Sequence, residues 1–357
     1  MDYWPVSNKG SEWRRWEPHI HAPGTVMNDQ FKGPTAWEDY LTALENAAPK
    51  IKALGVTDYY LTDTYEKVLE AKRSGRISDI ELVFLNIELR IGIGTTKGGW
   101  VNMHLMVSPE DPDHLEKAKA FVRNLRFRFQ EEAFNCTRED LIRLGRIHGS
   151  SNMSDKLALE QGATQFKVGL EQLQDEFERS RWARENVLVA VAGGKDDGTS
   201  GVKDAADAAL RTEIEKFADI IFASSAAQRE FWLGLRAASP KELISTYGGL
   251  KPCMHGSDSH EVATVGRPDG NRFSWIKGGL EFDALWQACI DPAGRAFVGE
   301  APPSSGTPSQ LIDEIELLNA PWAKTPRIAF NHGLVAVIGA RGSGKTALAD
   351  IVALNSP

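Results

Sequence analysis

Two groups of imidazole and carboxylate side chains in this chain have the residue types and spacing for metal chemistry. The first is Glu17-Pro18-His19-Ile20-His21-Ala22, where two imidazoles stand two residues apart. In an extended strand, residues i and i+2 point to one face, so His19 and His21 aim together into one site and suit a shared divalent metal. Only eight histidines are present: 19, 21, 104, 114, 148, 255, 260 and 332. A second group, His255-Gly256-Ser257-Asp258-Ser259-His260, repeats the alternation with Asp258 and His260. Between the two, Glu88 closes an apolar stretch, His104 lies inside another, and Asp58 ends a third. Each has an ordinary reading alone: a surface glutamate, a satisfied core histidine, a helix-capping aspartate. Together they put His19, His21, Glu88, His104, Asp258 and His260 at strand ends.

A third signal is Gly339-Ala340-Arg341-Gly342-Ser343-Gly344-Lys345-Thr346, which fits G-x-x-x-x-G-K-[ST]. A chance match in this length is about one in a hundred from average composition. An apolar run, Gly333 to Ile338, precedes it as an expected strand, and Thr346 to Leu354 reads as a helix. Backbone N–H groups of Gly339, Gly342 and Gly344 would cradle phosphates, Lys345 would neutralise them, and Thr346 would hold Mg²⁺. No acidic strand follows. The nucleotide fold is therefore expected to be incomplete in this chain, which alone neither holds ATP tightly nor hydrolyses it.

The elements that position these groups alternate. The apolar spacing predicts a helix over Trp37 to Leu54, kinked or broken into two helices at Pro49 and stopped by Gly55, then a strand over Val56 to Leu61. A helix over Asp63 to Arg73 and strands over Ile80 to Leu89 and Trp100 to Val107 follow. Asp113 to Arg128 reads as an amphipathic helix. Residues 137 to about 182 read as mostly helical, with a break near Gly149 to Met153. Val187 to Ala192 is an apolar strand ending in Gly193-Gly194-Lys195. Helix, strand and helix follow at 203–217, 219–224 and 226–236, then a strand before Gly256, a helix over 281–289 and the segment Arg295 to Gly299. Residues 1 to 16, with Tyr3, Trp4, Trp13 and Trp16, read equally as an irregular segment packed on a barrel mouth or as a solvent-facing leader. Strands apolar on both faces, separated by helices, are what a buried parallel sheet requires. Ala301 to Pro308 is a linker by composition. The expected division is 1–300, a linker over 301–310, and 311–357 as the start of a P-loop domain.

The bulk numbers set bounds. The 357 residues are 42% hydrophobic and 25% charged, ordinary for a soluble globular protein, with a formal net charge of −8. That charge argues against a wide nucleic-acid footprint but leaves room for a local basic groove. No apolar run spans a membrane and no signal peptide opens the chain, so a cytoplasmic protein is expected. Cys136, Cys253 and Cys289 read as reduced thiols, with Cys253 more readily a buried bystander than a ligand.

The His-x-His opening, Thr57-Asp58-Tyr59, Glu88, Met103-His104-Leu105 and the closing Gly256-Ser257-Asp258-Ser259-His260 resemble the PHP (polymerase and histidinol phosphatase) phosphoesterase family over roughly residues 15 to 300. With the P-loop, the chain resembles the narrower TrlF-type group, a PHP domain followed by an AAA-like or SMC-like ATPase. The resemblance implies a distorted, TIM-like (β/α)7 barrel with Zn, Mn or Fe ions at the C-terminal strand ends. It also implies that His19 and His21 bind one metal, Glu88 bridges, His104 binds a second, and Asp258 and His260 complete the cluster. The family's additional histidine after the opening pair, the histidine of its Thr-Asp-His and its His-Pro strand end are Met27 or Asp29, Tyr59 and Gly193-Gly194-Lys195 here. One or two metals are therefore expected.

The expected function is a metal-dependent phosphoesterase with Asp258, Glu88 and Lys195 as catalytic candidates and Arg90 as a lesser one. A nuclease controlled by the ATPase comes first, with anti-phage defence by architectural analogy and homo-oligomers formed through the ATPase part. A small-molecule or nucleotide phosphatase, or a catalytically eroded assembly module, are the alternatives. Substrates are accordingly nucleic acid or a phosphorylated small molecule.

Overall fold

The computed structural model describes residues 9–355 except 224, 305 and 326, and leaves out the side chains of 204–206, 308 and 355. The expectations for Tyr3 and Trp4 lie outside the described residues. The chain divides into a unit of Arg14–Pro302 and a smaller one joining Met1–Trp13 to Pro303–Pro357.

The larger unit is built from β1 (Glu12–His21), α1 (Ala36–Glu45), β2 (Ala53–Tyr59), α2 (Asp63–Arg73), β3 (Leu82–Gly94), β4 (Trp100–Val107) and α3 (His114–Arg123). A hairpin, β5 (Arg126–Phe129) and β6 (Glu132–Asn135), precedes α4 (Arg138–His148), α5 (Asp155–Gln165), α6 (Leu170–Arg179) and α7 (Arg181–Asn186). Then come β7 (Val187–Ala192), α8 (Asp204–Phe217), β8 (Ile220–Phe222), α9 (Ala226–Trp232), α10 (Pro240–Tyr247) and β9 (Cys253–Met254). β10 (Phe273–Gly278), α11 (Asp283–Ile290), α12 (Pro292–Arg295) and β11 (Ala296–Gly299) complete it.

Nine strands form one nearly closed, barrel-like sheet in the order β11-β10-β1-β2-β3-β4-β7-β8-β9. The count differs from the expected seven, and not every strand is parallel. β1, β2 and β3 run parallel, as do β7, β8 and β9, but β4 is antiparallel to both β3 and β7. The short connection from Gly94 to Trp100 explains this, because a parallel return needs a crossover of a dozen or more residues.

Alternation sorts the barrel interior into layers. Trp16, Ala53, Leu82, Phe84, Met106, Leu188, Ala190, Ile220, Met254, Ile276 and Ala296 form one apolar cluster that draws on all nine strands. Phe282, Leu285 and Ala288 at α11 join it, with the Phe282 ring 5.6 Å from that of Phe84, so α11 stops the lower end of the barrel. Two residues further along the strands the interior turns polar at Thr57, Asn86 and His104, and then at Glu88 and Asn102, all buried. Outward-facing residues of the same strands, such as Ile20, Val56, Ile87 and Leu105, pack into the larger cluster beneath the helices.

One irregularity decides what β1 offers. Trp16 pairs with Ala53, but His21 pairs with Thr57, so β1 advances from 16 to 21 while β2 advances only from 53 to 57. The extra residue is a β-bulge, and it reverses which face each later side chain meets. Trp16 points inward below the bulge, and His19 and His21 point inward above it. Gly55 makes room beside the bulge: a Cβ there would stand 2.4 Å from the Pro18 carbonyl oxygen and 2.7 Å from the Phe84 ring.

Several expectations need correction. The Trp37 to Leu54 helix ends at Glu45, well before Pro49, and Gly55 sits inside β2 instead of ending a helix. Residues 12–16 belong to β1 and are not irregular. The helix over 113–128 stops at Arg123, and its basic tail is the strand β5, alternating exposed and half-buried residues as an edge hairpin does. α2, β4 and β7 have the expected limits. Thr137 caps α4 by accepting the Asp140 N–H, as its spacing suggests.

In the smaller unit, β12 (Glu314–Glu316) pairs antiparallel with β13 (Arg327–Ala329), and α13 (Lys345–Asn355) follows the glycine-rich turn. The expected strand over Gly333 to Ile338 is not formed; Leu334 and Ile338 are 92% and 89% exposed. A strand apolar on both faces needs neighbours to pair with and to cover it, and none does so among the described residues. Gly342 and Gly344 have φ of +82° and +87°, and Lys345 Nζ donates to the Gly339 and Ala340 carbonyls at 2.7 and 2.9 Å.

Candidate metal centre

The upper rim of the barrel brings β1, β3 and the segment after β9 to one point. His19 Nε2 lies 3.3 Å from Glu88 Oε2 and 3.1 Å from Asp258 Oδ1. His21 Nε2 lies 3.3 and 3.4 Å from the same two oxygens. These four ligand atoms all stand within 4.8 Å of one another. His19 Nε2, His21 Nε2 and Glu88 Oε2 are buried without a hydrogen-bond partner. Orphaned buried polar atoms are costly, and three aimed at one spot fit a divalent cation. Two imidazoles and two carboxylates form a donor set suited to Zn, Mn or Fe.

The late segment reaches the site by close backbone approach. Asp258 N–H donates to the His19 carbonyl at 2.9 Å, and Ser257 N–H donates to Glu17 Oε1 at 2.6 Å. Asp258 has φ of +47°, a left-handed conformation that a non-glycine residue adopts at a cost and that aspartate tolerates better than most.

A supporting shell orients the ligands. His21 Nδ1 lies 3.0 Å from Thr25 Oγ1, which donates to Asp58 Oδ1 at 3.0 Å. Asp58 also accepts from the N–H groups of Val26 and Tyr59 and from the Thr64 hydroxyl. It therefore works behind the ligands. Burial raises its carboxyl to about 6. Asn102 Nδ2 donates to Glu88 Oε1 at 2.6 Å, leaving Oε2 for the centre. Asn86 donates to Pro18 O and Thr57 Oγ1, so its oxygen accepts from His104 Nδ1–H and leaves His104 Nε2 bare.

Charge follows the geometry. Burial pushes the His19 imidazole down, but the Asp258 and Glu88 carboxylates reverse this and hold it well above the usual value. His21 is raised in the same way. Burial opposes ionisation of Glu88 and Asp258, and the imidazoles nevertheless hold both below the carboxylate range. Burial, and then the neighbouring His19, takes His104 down to about 3.

Four of the six expected ligands thus converge: His19, His21, Glu88 and Asp258. His104 is adjacent, its ring 4.5 Å from that of His19, and it lines a cleft of about 210 Å³ together with Asp197, Phe222, His255 and Asp258. His260 stacks on His21 at 4.0 Å, but both its nitrogens are engaged, Nδ1 with the Asp258 carbonyl and Nε2 with the Tyr59 hydroxyl. Lys195 is exposed and is not among the residues lining the cleft, where Gly194 and Asp197 stand instead. Cys253 is buried, its thiol pushed up to about 12. Thr25, Asn102, Asp197 and His255 were not singled out as site residues from the sequence. Asn102 was findable, because it lies two residues before His104 on the same strand face.

No protein-family model matches this chain, and no curated protein matches it. Among solved structures, it is similar to a candidate metal-dependent phosphoesterase from Bifidobacterium adolescentis, with 14% identity, a TM-score of 0.38, and coverage of 77% of this chain and 96% of that one. It is also similar to an amidohydrolase from Chromobacterium violaceum with bound sulfate and no metal, with 13% identity, a TM-score of 0.36, and coverage of 71% and 90%. The functional reading rests on the site's own residues. Among the described residues, no helix is long and apolar enough to cross a membrane.

Proposed function

We propose that this chain is a metal-dependent phosphoesterase of the PHP type. The observation that carries the reading is the convergence of three buried, partnerless ligand atoms, His19 Nε2, His21 Nε2 and Glu88 Oε2, beside Asp258 Oδ1. A divalent ion bound there would polarise a phosphoryl oxygen and make water nucleophilic near neutral pH. His19, His21 and Glu88 hold their positions by burial, and Asn102 and Thr25 fix their orientation. The Asp258 side chain, 52% exposed, sits where substrate enters and can orient the attacking water. His255 is held neutral at about 4 with a buried, partnerless Nε2, and His104, held neutral at about 3, keeps its Nε2 outside the Asn86 contact, so both are available to substrate or to a second ion.

The finer reading is a nuclease controlled by a P-loop ATPase, with anti-phage defence as its setting. The Gly339 to Thr346 motif, carried in the same chain as the metal-ligand candidates, motivates it. The small cleft favours the rival, a phosphatase acting on a small monoester or nucleotide.

The test is metal content and hydrolysis of bis(p-nitrophenyl) phosphate by the Mn²⁺-loaded chain beside Glu88→Gln. We expect wild type to retain metal, and the variant to lose it with at least about a hundredfold of the rate. A wild-type chain that binds no transition metal and cleaves neither phosphodiester nor phosphomonoester would sink the reading.

A further inference from the structure

We propose that the β3–β4 arm is a binding track for single-stranded nucleic acid leading into the metal centre. This deepens the phosphoesterase reading and rests on it. β3 and β4 do not stop at the rim. Glu88 pairs with His104 at the metal centre, Arg90 with Asn102 beyond it, and Gly94 with Trp100 at the far end. Four residues of β4 carry Trp100 about 13 Å past His104, with β3 bulging between Arg90 and Gly94. Val101, Met103, Leu89 and Ile91 face the apolar core, so Trp100, Asn102 and His104, with Glu88, Arg90, Gly92 and Gly94, share the opposite face. That face reads outward from the metal ligands as cation, two glycines, and indole.

A second element brings another cation. Val168 N–H donates to the Arg90 carbonyl, and Gly92 N–H donates to the Val168 carbonyl, both at 2.9 Å. This staples Lys167 beside Arg90, and its Nζ stands 5.0 Å from the centre of the Trp100 ring. The Arg90 guanidinium stands 5.6 Å from the Tyr59 ring, which itself stacks on His21. Among the described residues, neither Arg90 nor Lys167 forms an ion pair with a carboxylate. Burial, and then the charge of Arg90, lowers Lys167 to about 8. Two cations held together and outside any ion pair among the described residues suit successive phosphates. Trp100 is 40% exposed, an uncommon placement for so large an apolar ring, and it gives a base a surface to stack on. Alternating cations and aromatic rings are the physical requirement for holding a single strand without reading its sequence. A small monoester would reach the metal centre but not Trp100.

The test uses the full chain and a fluorescein-labelled oligothymidylate twelve nucleotides long. Anisotropy reads binding without metal. Hydrolysis of the same oligomer and of bis(p-nitrophenyl) phosphate is read with Mn²⁺. We expect Trp100→Ala and Lys167→Ala each to weaken oligomer binding about tenfold, and to lower the ratio of oligomer to small-diester kcat/KM by a similar factor. Trp100→Phe should restore most of it. Absence of oligomer binding by wild type, equal binding of a duplex of the same length, or an unchanged ratio in both variants would overturn the track. Failure of wild type to hydrolyse the small diester would instead remove the phosphoesterase reading, while anisotropy still decides the arm.

Discussion

Gly256 lies so close to His19 that a Cβ on it would stand 2.5 Å from the His19 carbonyl oxygen and 2.8 Å from the His19 Cβ. The approach lets Asp258 N–H reach the same carbonyl and delivers the Asp258 carboxylate to the cluster. Gly256→Ala is therefore expected to destabilise the chain by about 1–3 kcal/mol, as overpacking does, and to weaken metal binding beyond that loss. Chemical denaturation and a chelator competition measure the two effects separately. Unchanged metal affinity would show that Asp258 reaches the ion without this contact.

The Thr25 bridge between His21 and Asp58 predicts a loss with no change in ligands. Thr25→Val keeps the shape and removes the hydroxyl. Metal affinity is expected to fall by about 10–100-fold, the usual effect of removing a partner that orients a ligating imidazole. Equilibrium dialysis against a Zn²⁺ or Mn²⁺ buffer checks it, and a wild-type affinity would mean that burial alone holds the ring.

Bound metal should support the fold, because its ligands come from β1, β3 and the segment after β9. Metal at about 1,000 times its Kd adds about 4 kcal/mol, and stripping it should lower Tm by roughly 10 °C. Calorimetry before and after EDTA treatment reads this, and a Tm indifferent to EDTA would show that no ion is held.

His255 carries a pH signature. Burial first, and then the charge of Arg272, lowers it to about 4 from an ordinary 6.5. Its folded-state value is depressed, so the folded chain resists a proton that the unfolded chain accepts. The stability this represents is present above about pH 6.5 and is lost as pH falls toward 4. His255→Asn should therefore flatten the decline in Tm over that window relative to wild type, with the metal-free proteins compared by calorimetry. Parallel curves would refute the assignment.

What was legible in the sequence followed from periodicity. α2, β4 and β7 were readable because their apolar residues recur with one period between clear stops. The His-x-His spacing and Asp258 pointed to the centre because strand alternation puts such residues on one face. The bulge in β1 was not legible. It depends on Gly55 and Phe84 across the sheet, and an uninterrupted strand that kept Trp16 inward would have turned both histidines outward. The antiparallel course of β4 was hidden in a short connection whose length was the only clue. Lys195 looked suitable because a glycine-rich strand end preceded it, but the turn that follows carries Asp197 into the cleft and leaves Lys195 outside. The strand expected over 333–338 failed for the opposite reason, since its composition asks for neighbours that the described residues do not supply.

The apolar filling beneath the ligands, with α11 set across the bottom, shuts that end of the barrel. If the proposed hydrolysis takes place at the cluster, substrate and product share the cleft at the rim, and the leaving fragment and the next substrate contend for the same threshold.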